Sequence, residues 1–236
     1  MACLRRAGIG ATLLMGTWYA LASPGVQRAD VRVGDVVRRW GTPRLDHAVR
    51  ATTDLGSFYA VVGITVGLAA TGRRRAAADV LGVGFAAWNL AQANKRFVRR
   101  ARPYEADGVR RLVRPPAGSS FPSGHAAVGA AVMTVLADRA RCGPGRRLLQ
   151  AVAAYIPFSR VYCGVHYPTD VLGGAGLGLV LGSVWRGPVA TLNRATMRTT
   201  LRTLAWLGRG RSANPSAAGT SAASSRVSWR ACGRCR

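Results

Sequence analysis

The chain alternates between apolar runs and short arginine-rich breaks. Arg5-Arg6 precedes an apolar stretch over residues 7–22. Residues 55–72 give 18 positions without a charge, long enough to approach a bilayer crossing, and Arg73-Arg74-Arg75 then stops the run. Further uncharged stretches of 15, 19, 12 and 15 positions occupy residues 80–94, 119–137, 148–159 and 171–185, with His125 the only ionisable side chain of the second. This pattern predicts an all-α fold, a polytopic membrane bundle of about six helices. The shorter runs also suit core helices of a soluble helical bundle, and in a bilayer they need neighbouring helices to stabilise them. Residues 7–22 have two readings. They are a short first span, preferred because more apolar runs follow, or a cleaved signal, because Ala20-Leu21-Ala22 resembles a small-residue cleavage site.

The polar pattern divides the chain into residues 1–54, 55–186 and 187–236. Residues 23–54 mix six Arg and four Asp with Val and Leu, which reads as a helical segment lying at the surface, outside the hydrocarbon core. Residues 186–236 contain ten Arg and no acidic residue. Arg194, Arg198 and Arg202 repeat every four positions, beside Met197, Leu201, Leu204 and Ala205. That is a basic amphipathic helix, suited to an anionic membrane surface or to solvent. Residues 208–228, rich in Ser, Ala and Gly, are expected to be disordered.

Composition sharpens this picture. Hydrophobic residues make up 49% of the chain, but they are mainly Ala, Val and Leu, accompanied by 29 Gly, which favours helices packed closely through small residues. The arginine-rich segments dilute the mean hydropathy to +0.10. There are 34 basic against 9 acidic residues, a net charge of +25, and Lys95 is the only lysine. The arginines are interspersed with charge-free runs and carry no helix-turn-helix, zinc-finger or RNA-recognition signature. The expectation is therefore no nucleic-acid partner and a basic face towards anionic lipid. Cys3, Cys142 and Cys163 stand alone. Cys232 and Cys235 form a C-x-x-C pair in a polar tail with no second pair, and are read as incidental. No metal-ligand cluster is visible, and no cofactor is expected.

The residues with chemistry to offer lie in three short stretches: Lys95 to Arg102-Pro103, Pro122-Ser123-Gly124-His125, and Ser159-Arg160 followed by His166 and Asp170. A phosphate monoester carries up to two negative charges, and its transfer develops charge on the equatorial oxygens, so cations and backbone donors suit it. Lys95, Arg102 and Arg160 supply the cations. Any single Arg in so arginine-rich a chain falls there easily by chance, whereas Lys95 owes nothing to that excess. Ser123 suits an N-cap and Gly124 a close approach of backbone to ligand, at a helix N-terminus where free N–H groups bind phosphate. His125 would stand in the first turn, as a phosphate-site residue, a surface residue or a core donor. Asp170, four residues after His166, is placed to orient the imidazole or merely to cap the helix that Pro168 begins. Asp79 and Asn89 suit packing roles. Glu105 and Asp107 are solvated loop charges by default, with substrate tuning as the alternative.

In the order K-x6-R-P, P-S-G-H and S-R-x5-H-x3-D, these stretches resemble the type 2 phosphatidic acid phosphatase family, which also includes bacterial acid phosphatases and vanadium haloperoxidases. The resemblance covers about residues 55–186, and every signature position matches. It implies that His166 is the nucleophile, forming a phosphohistidine, with Asp170 as its partner and His125 as general acid. It further implies that Lys95, Arg102, Ser123, Gly124 and Arg160 hold the phosphoryl group, that no divalent metal takes part, and that the substrate is a lipid phosphate or diphosphate in a cell membrane. Six helices put the three stretches at helix ends of one face. Arg5-Arg6, residues 73–75 and 139–147 and the basic tail fall on the other, which the positive-inside rule assigns to the cytoplasm, leaving an extracytoplasmic site.

Overall fold

A computed structural model describes residues 2–140, 142–185 and 188–211. Cys232, Cys235 and most of the Ser-, Ala- and Gly-rich stretch lie outside them. The described residues form ten α-helices and one 3-10 turn, with no strand among them. The six apolar runs fall on α1 (Ala2–Ala20), α4 (Phe58–Ala70), α5 (Arg74–Phe97), α7 (Gly124–Ala137), α8 (Gly143–Tyr162) and α9 (Pro168–Val184). The additional helices come from the polar segments. Residues 23–54 make α2 (Pro24–Arg39), α3 (Pro43–Thr52) and the first half of the 3-10 turn (Thr53–Gly56), the loop after Arg102 makes the one-turn α6 (Pro103–Ala106), and the basic segment makes α10 (Pro188–Arg211). The chain divides into two compact units at residue 197, so that Arg198 onward, including the last part of α10, belongs to the second.

The helices begin where the sequence provides caps. Ser57 caps α4 by accepting from the Ala60 N–H at 3.2 Å, and Thr42 caps α3 by accepting from Leu45 N–H at 3.2 Å. Pro24, Pro43, Pro103 and Pro168 each open a helix, where a missing N–H costs nothing.

Helix α7 is the centre of the first unit. Twelve of its 14 residues are buried, and it packs against α5, α8 and α9. Val80, Val83, Ala87 and Ala91 form the buried stripe of α5 in the cluster around it. The α7–α9 contact is close because α9 is glycine-rich. A Cβ at Gly178 would sit 2.3 Å from the Ala127 carbonyl oxygen, so no larger residue fits without parting the helices. The first helix joins on the other side of α9 in the same manner. A Cβ at Gly10 would lie 2.7 Å from the Gly176 oxygen, and one at Gly176 would lie 2.6 Å from the Gly10 oxygen. Residues 2–20 are thus a packed member of the bundle. Small-residue contacts of this kind let backbones approach where dispersion, rather than exclusion of water, holds helices together.

No single helix among the described residues is long and apolar enough to cross a membrane. Pro43–Gly56 and Phe58–Ala70 pass that test together, bent by 69° at their junction, while α7 and α9 are shorter apolar helices. The 18-residue uncharged run over 55–72 is therefore not one straight helix: its start is taken by the 3-10 turn, and Ser57 restarts it.

Asp79 is fully buried at the end of the bundle where α5 begins. It pairs with Arg139, just after α7, and with Arg194 of α10 at 2.9 Å. The packing role expected for it is carried out by ion pairing. Asn89, also expected to have a packing role, is exposed instead and returns its side-chain amide to the Phe85 carbonyl of its own helix at 2.8 Å.

Candidate active site

The opposite end of the bundle gathers the three signature stretches. Lys95 lies in the last turn of α5, Arg102 is the N-cap of α6, Ser123 is the N-cap of α7, Arg160 lies in the last turns of α8, and His166 and Asp170 flank the start of α9. Lys95 feels the charges of Arg102, Asp170 and Arg160, and His125 those of Arg160, Lys95 and Asp54. All eight residues singled out in the sequence thus belong to one cluster of helix ends.

His166 is 2% exposed, on the connection between α8 and α9. Arg102 Nη1 approaches its Nε2 at 3.3 Å. A guanidinium has only donors, so Nε2 must present its lone pair there and the proton must sit on Nδ1. Nδ1 faces Asp170 Oδ2 at 3.6 Å and Ser120 Oγ at 3.5 Å, distances of approach rather than of formed strong hydrogen bonds. Burial pushes the imidazole down to about 3, against the opposing pull of Asp170, so the ring is neutral at ordinary pH.

Asp170 is completely buried and fully engaged. Ser120 Oγ donates to its Oδ2 at 2.5 Å and the Tyr167 N–H to the same oxygen at 2.8 Å, while Arg100 Nη1 donates to Oδ1 at 2.7 Å. Its backbone carbonyl accepts from the Ser123 N–H at 2.9 Å, which ties the start of α9 to the cap of α7.

Arg102 is 0% exposed. Its Nε donates to Gly118 O at 3.1 Å, Nη1 to Val165 O at 2.9 Å as well as approaching His166, and Nη2 to Ala117 O at 3.3 Å and Ser119 O at 3.2 Å. All five of its N–H groups therefore have acceptors. Arg160 differs. Its Nη1 donates to Thr53 Oγ1 at 3.0 Å, but its buried Nε has no partner among the described residues. Lys95 borders a cavity of about 400 Å³ with Arg99, Arg100, Glu105, Gly118 and Ser119.

The Ser123 hydroxyl accepts from the Ala126 N–H at 3.5 Å, so the cap read from the sequence is present. A Cβ on Gly124 would stand 3.4 Å from the Trp88 ring, a tight fit. His125 Nε2 lies 3.4 Å from Asp54 Oδ1. That contact, opposed by partial burial, holds the Asp54 carboxyl below its ordinary value.

Several residues at this site are absent from the three signatures. Thr53 and Asp54, on the 3-10 turn, touch Arg160 and His125. Ser120 and Arg100 hold Asp170, and Asp30 of α2 holds Arg100. One signal in the sequence marks Asp30: it shares an inward stripe of α2 with Val26, Gly34 and Val37, where a charge needs a partner. Glu105 accepts from the Arg102 N–H at 2.9 Å and so caps α6, and Asp107 accepts from the Tyr167 hydroxyl at 2.5 Å. Both loop acids have structural partners. Among the described residues no group of three or more His, Cys, Asp or Glu is placed to hold a metal ion.

The family model of the PAP2 superfamily matches residues 76–192. The decaprenylphosphoryl-5-phosphoribose phosphatase of Mycobacterium tuberculosis H37Rv is 38% identical over 120 residues, 50% of this chain and 65% of that protein, so the chain spans a little under two thirds of its length. The protein of the same name from Mycolicibacterium smegmatis is 34% identical over 137 residues, 57% of this chain and 73% of that one. The crystal structure of a transmembrane PAP2-type phosphatidylglycerolphosphate phosphatase from Bacillus subtilis superimposes with a TM-score of 0.64 at 26% identity, covering 75% of this chain and 93% of that one. With the three signatures converging on one buried histidine and its carboxylate, and with relatives of this degree, the chain belongs to the PAP2 superfamily.

Proposed function

We propose that this chain is a membrane phosphatase that removes phosphate from a lipid phosphate or diphosphate through a phosphohistidine on His166. The carrying observation is the placing of His166, with Nε2 3.3 Å from Arg102 Nη1 and Nδ1 3.6 Å from Asp170 Oδ2, a geometry that suits a lone pair on Nε2 and a proton on Nδ1. Nε2 attacks phosphorus, and Asp170 stabilises the imidazolium that forms. The Arg102 N–H that rests on Nε2 has to leave it at that moment, which frees one donor for a phosphoryl oxygen. Arg160 offers its unpartnered Nε, Lys95 its ammonium, and the N-terminus of α7, at Ser123 and Gly124, its backbone dipoles. His125 gives a proton to the departing oxygen, the alkoxide of a monophosphate or the lipid phosphate of a diphosphate, and then takes one from the water that hydrolyses the phosphohistidine. Three side-chain cations supply the charge that a divalent ion would otherwise bring, so no metal is required.

A lipid substrate is supported by the names of the relatives and by the exposed apolar side chains of α4 and α5, among them Tyr59, Val62, Val66 and Phe85. The arginines of residues 73–75 and 146–147 lie at the helix ends away from the site, which supports an extracytoplasmic active site. The test is phosphate release by purified protein from a panel of phosphatidic acid, phosphatidylglycerol phosphate and polyprenyl phosphates and diphosphates, with and without EDTA. Release from at least one lipid, undiminished by EDTA and inhibited by vanadate, is expected. Activity only on water-soluble esters, or restoration by Mg²⁺ after EDTA, would overturn the reading.

A further inference from the structure

We propose that Asp30, from the segment ahead of the three signatures, is a positioning residue for the reaction, acting through Arg100 to hold Asp170 and to set how strongly that carboxylate draws on His166. This rests on the phosphatase reading above. Arg100 stands between two buried carboxylates. Its Nη1 donates to Asp170 Oδ1 and Thr169 Oγ1, both at 2.7 Å, and its Nη2 donates to Asp30 Oδ2 at 2.6 Å. Asp30 also takes the Thr169 N–H on Oδ1 at 3.0 Å and the Thr169 hydroxyl on Oδ2 at 2.5 Å. It therefore fixes the first turn of α9, the turn that carries Asp170. The guanidinium is clamped from a third side, lying 4.1 Å over the Tyr167 ring.

The charges give the arrangement its purpose. One arginine facing one buried carboxylate would make a closed pair, with little field left for an imidazolium. Two carboxylates on one arginine leave a net negative charge, and the cation formed on His166 completes the balance. Side-chain exposures of 15% for Arg100, 2% for Asp30 and 0% for Asp170 mean that water does little to screen this group. The other charges acting here are cationic: Lys95 of α5 and Arg102 at the start of α6 act on Asp170, and Arg102 and Arg160, the latter on α8, act on His166. Asp30 lies outside residues 76–192, so the family-matching segment does not contain the whole site.

The test uses the full chain in detergent. Asp30→Asn should lower kcat about 10-fold on lipid and aryl phosphates alike, the usual worth of a partner behind an active-site ligand, with KM held within about twofold. In an Arg100→Gln background the same substitution should add less than about twofold, because Asp30 acts only through Arg100. The chain has three histidines, and ¹⁵N-histidine spectra follow His166 directly. Its titration midpoint should fall in Asp30→Asn, rise in Arg100→Gln, and return towards the parent value in Asp30→Glu. Both midpoints moving the same way, or an unchanged kcat and midpoint in Asp30→Asn, would overturn the proposal. Should Asp30→Asn fail to fold, Arg100→Lys serves: it keeps the charge but cannot fork between two carboxylates, and undiminished kcat there would equally sink the idea. If the parent protein releases no phosphate from any substrate, it is the phosphatase reading that fails, and the spectra alone decide the clamp.

Discussion

Two buried aspartates sit at opposite ends of this bundle, and their surroundings differ in one respect. Asp79 is matched by two arginines, Arg139 and Arg194, and has no histidine beside it. Asp170 meets one arginine, which it shares with Asp30, and turns its second oxygen to Ser120, the Tyr167 N–H and His166. A carboxylate with an excess of fixed cations can only tie helices together. One that shares its paired arginine with a second carboxylate keeps an attraction in reserve for a positive charge on the histidine beside it. Both are equally hidden from water, so burial alone would not tell the acid beside a histidine from the one held between arginines.

The sharpest way to break this comparison is to neutralise each acid. Asp170→Asn should cut kcat by about 10⁴-fold, as for the orienting carboxylate of a Ser-His-Asp triad. His166→Ala should give no phosphoenzyme at all in rapid-quench labelling. If His166→Ala still becomes labelled, the nucleophile lies elsewhere.

Next in size is His125. His125→Ala should slow a lipid substrate by about 10²–10⁴-fold while sparing much of the rate on p-nitrophenyl phosphate, whose leaving group departs without a proton. Parallel losses on both substrates would remove the general-acid role. Lys95→Ala should follow, with kcat/KM lower by about 2.7–4 kcal/mol, the range for one donor to a developing anion.

The smallest catalytic effect belongs to Asp79→Asn. Turnover per folded molecule should match the parent, and thermal stability in detergent should fall. The loss should stay below the 3–5 kcal/mol or so of a broken, fully buried pair, because the Arg139 and Arg194 side chains are 36% and 26% exposed and can turn to water. A large drop in kcat with the stability intact would contradict the division of labour between the two ends.

The apolar runs placed α5, α7, α8 and α9 because each run is bounded by charge or proline, and the signature residues stood out because Lys95, His125 and His166 are rare types in this chain. Ser123 as a cap and Pro168 as a helix start were legible from local chemistry alone. What stayed hidden depends on long-range pairing. Arg100 is one arginine among many, and its partners Asp30 and Asp170 each lie 70 positions away. Thr53 and Asp54 were obscured because the uncharged run from residue 55 hides the turn and restart at Ser57. Glu105 read as loop charge because a one-turn helix leaves no periodic trace.

Arg102 shows what its five filled N–H groups mean for tolerance to change. In most places a lysine is an acceptable stand-in for arginine, since the charge is kept. An ammonium has three hydrogens, whereas the acceptors at this position are the carbonyls of Ala117, Gly118, Ser119 and Val165 and the ring nitrogen of His166. At least two of those would be stranded without water, at about 1–3 kcal/mol each. In a chain so permissive of arginine that it places 33 of them, this one is irreplaceable for its number of hydrogens rather than for its charge.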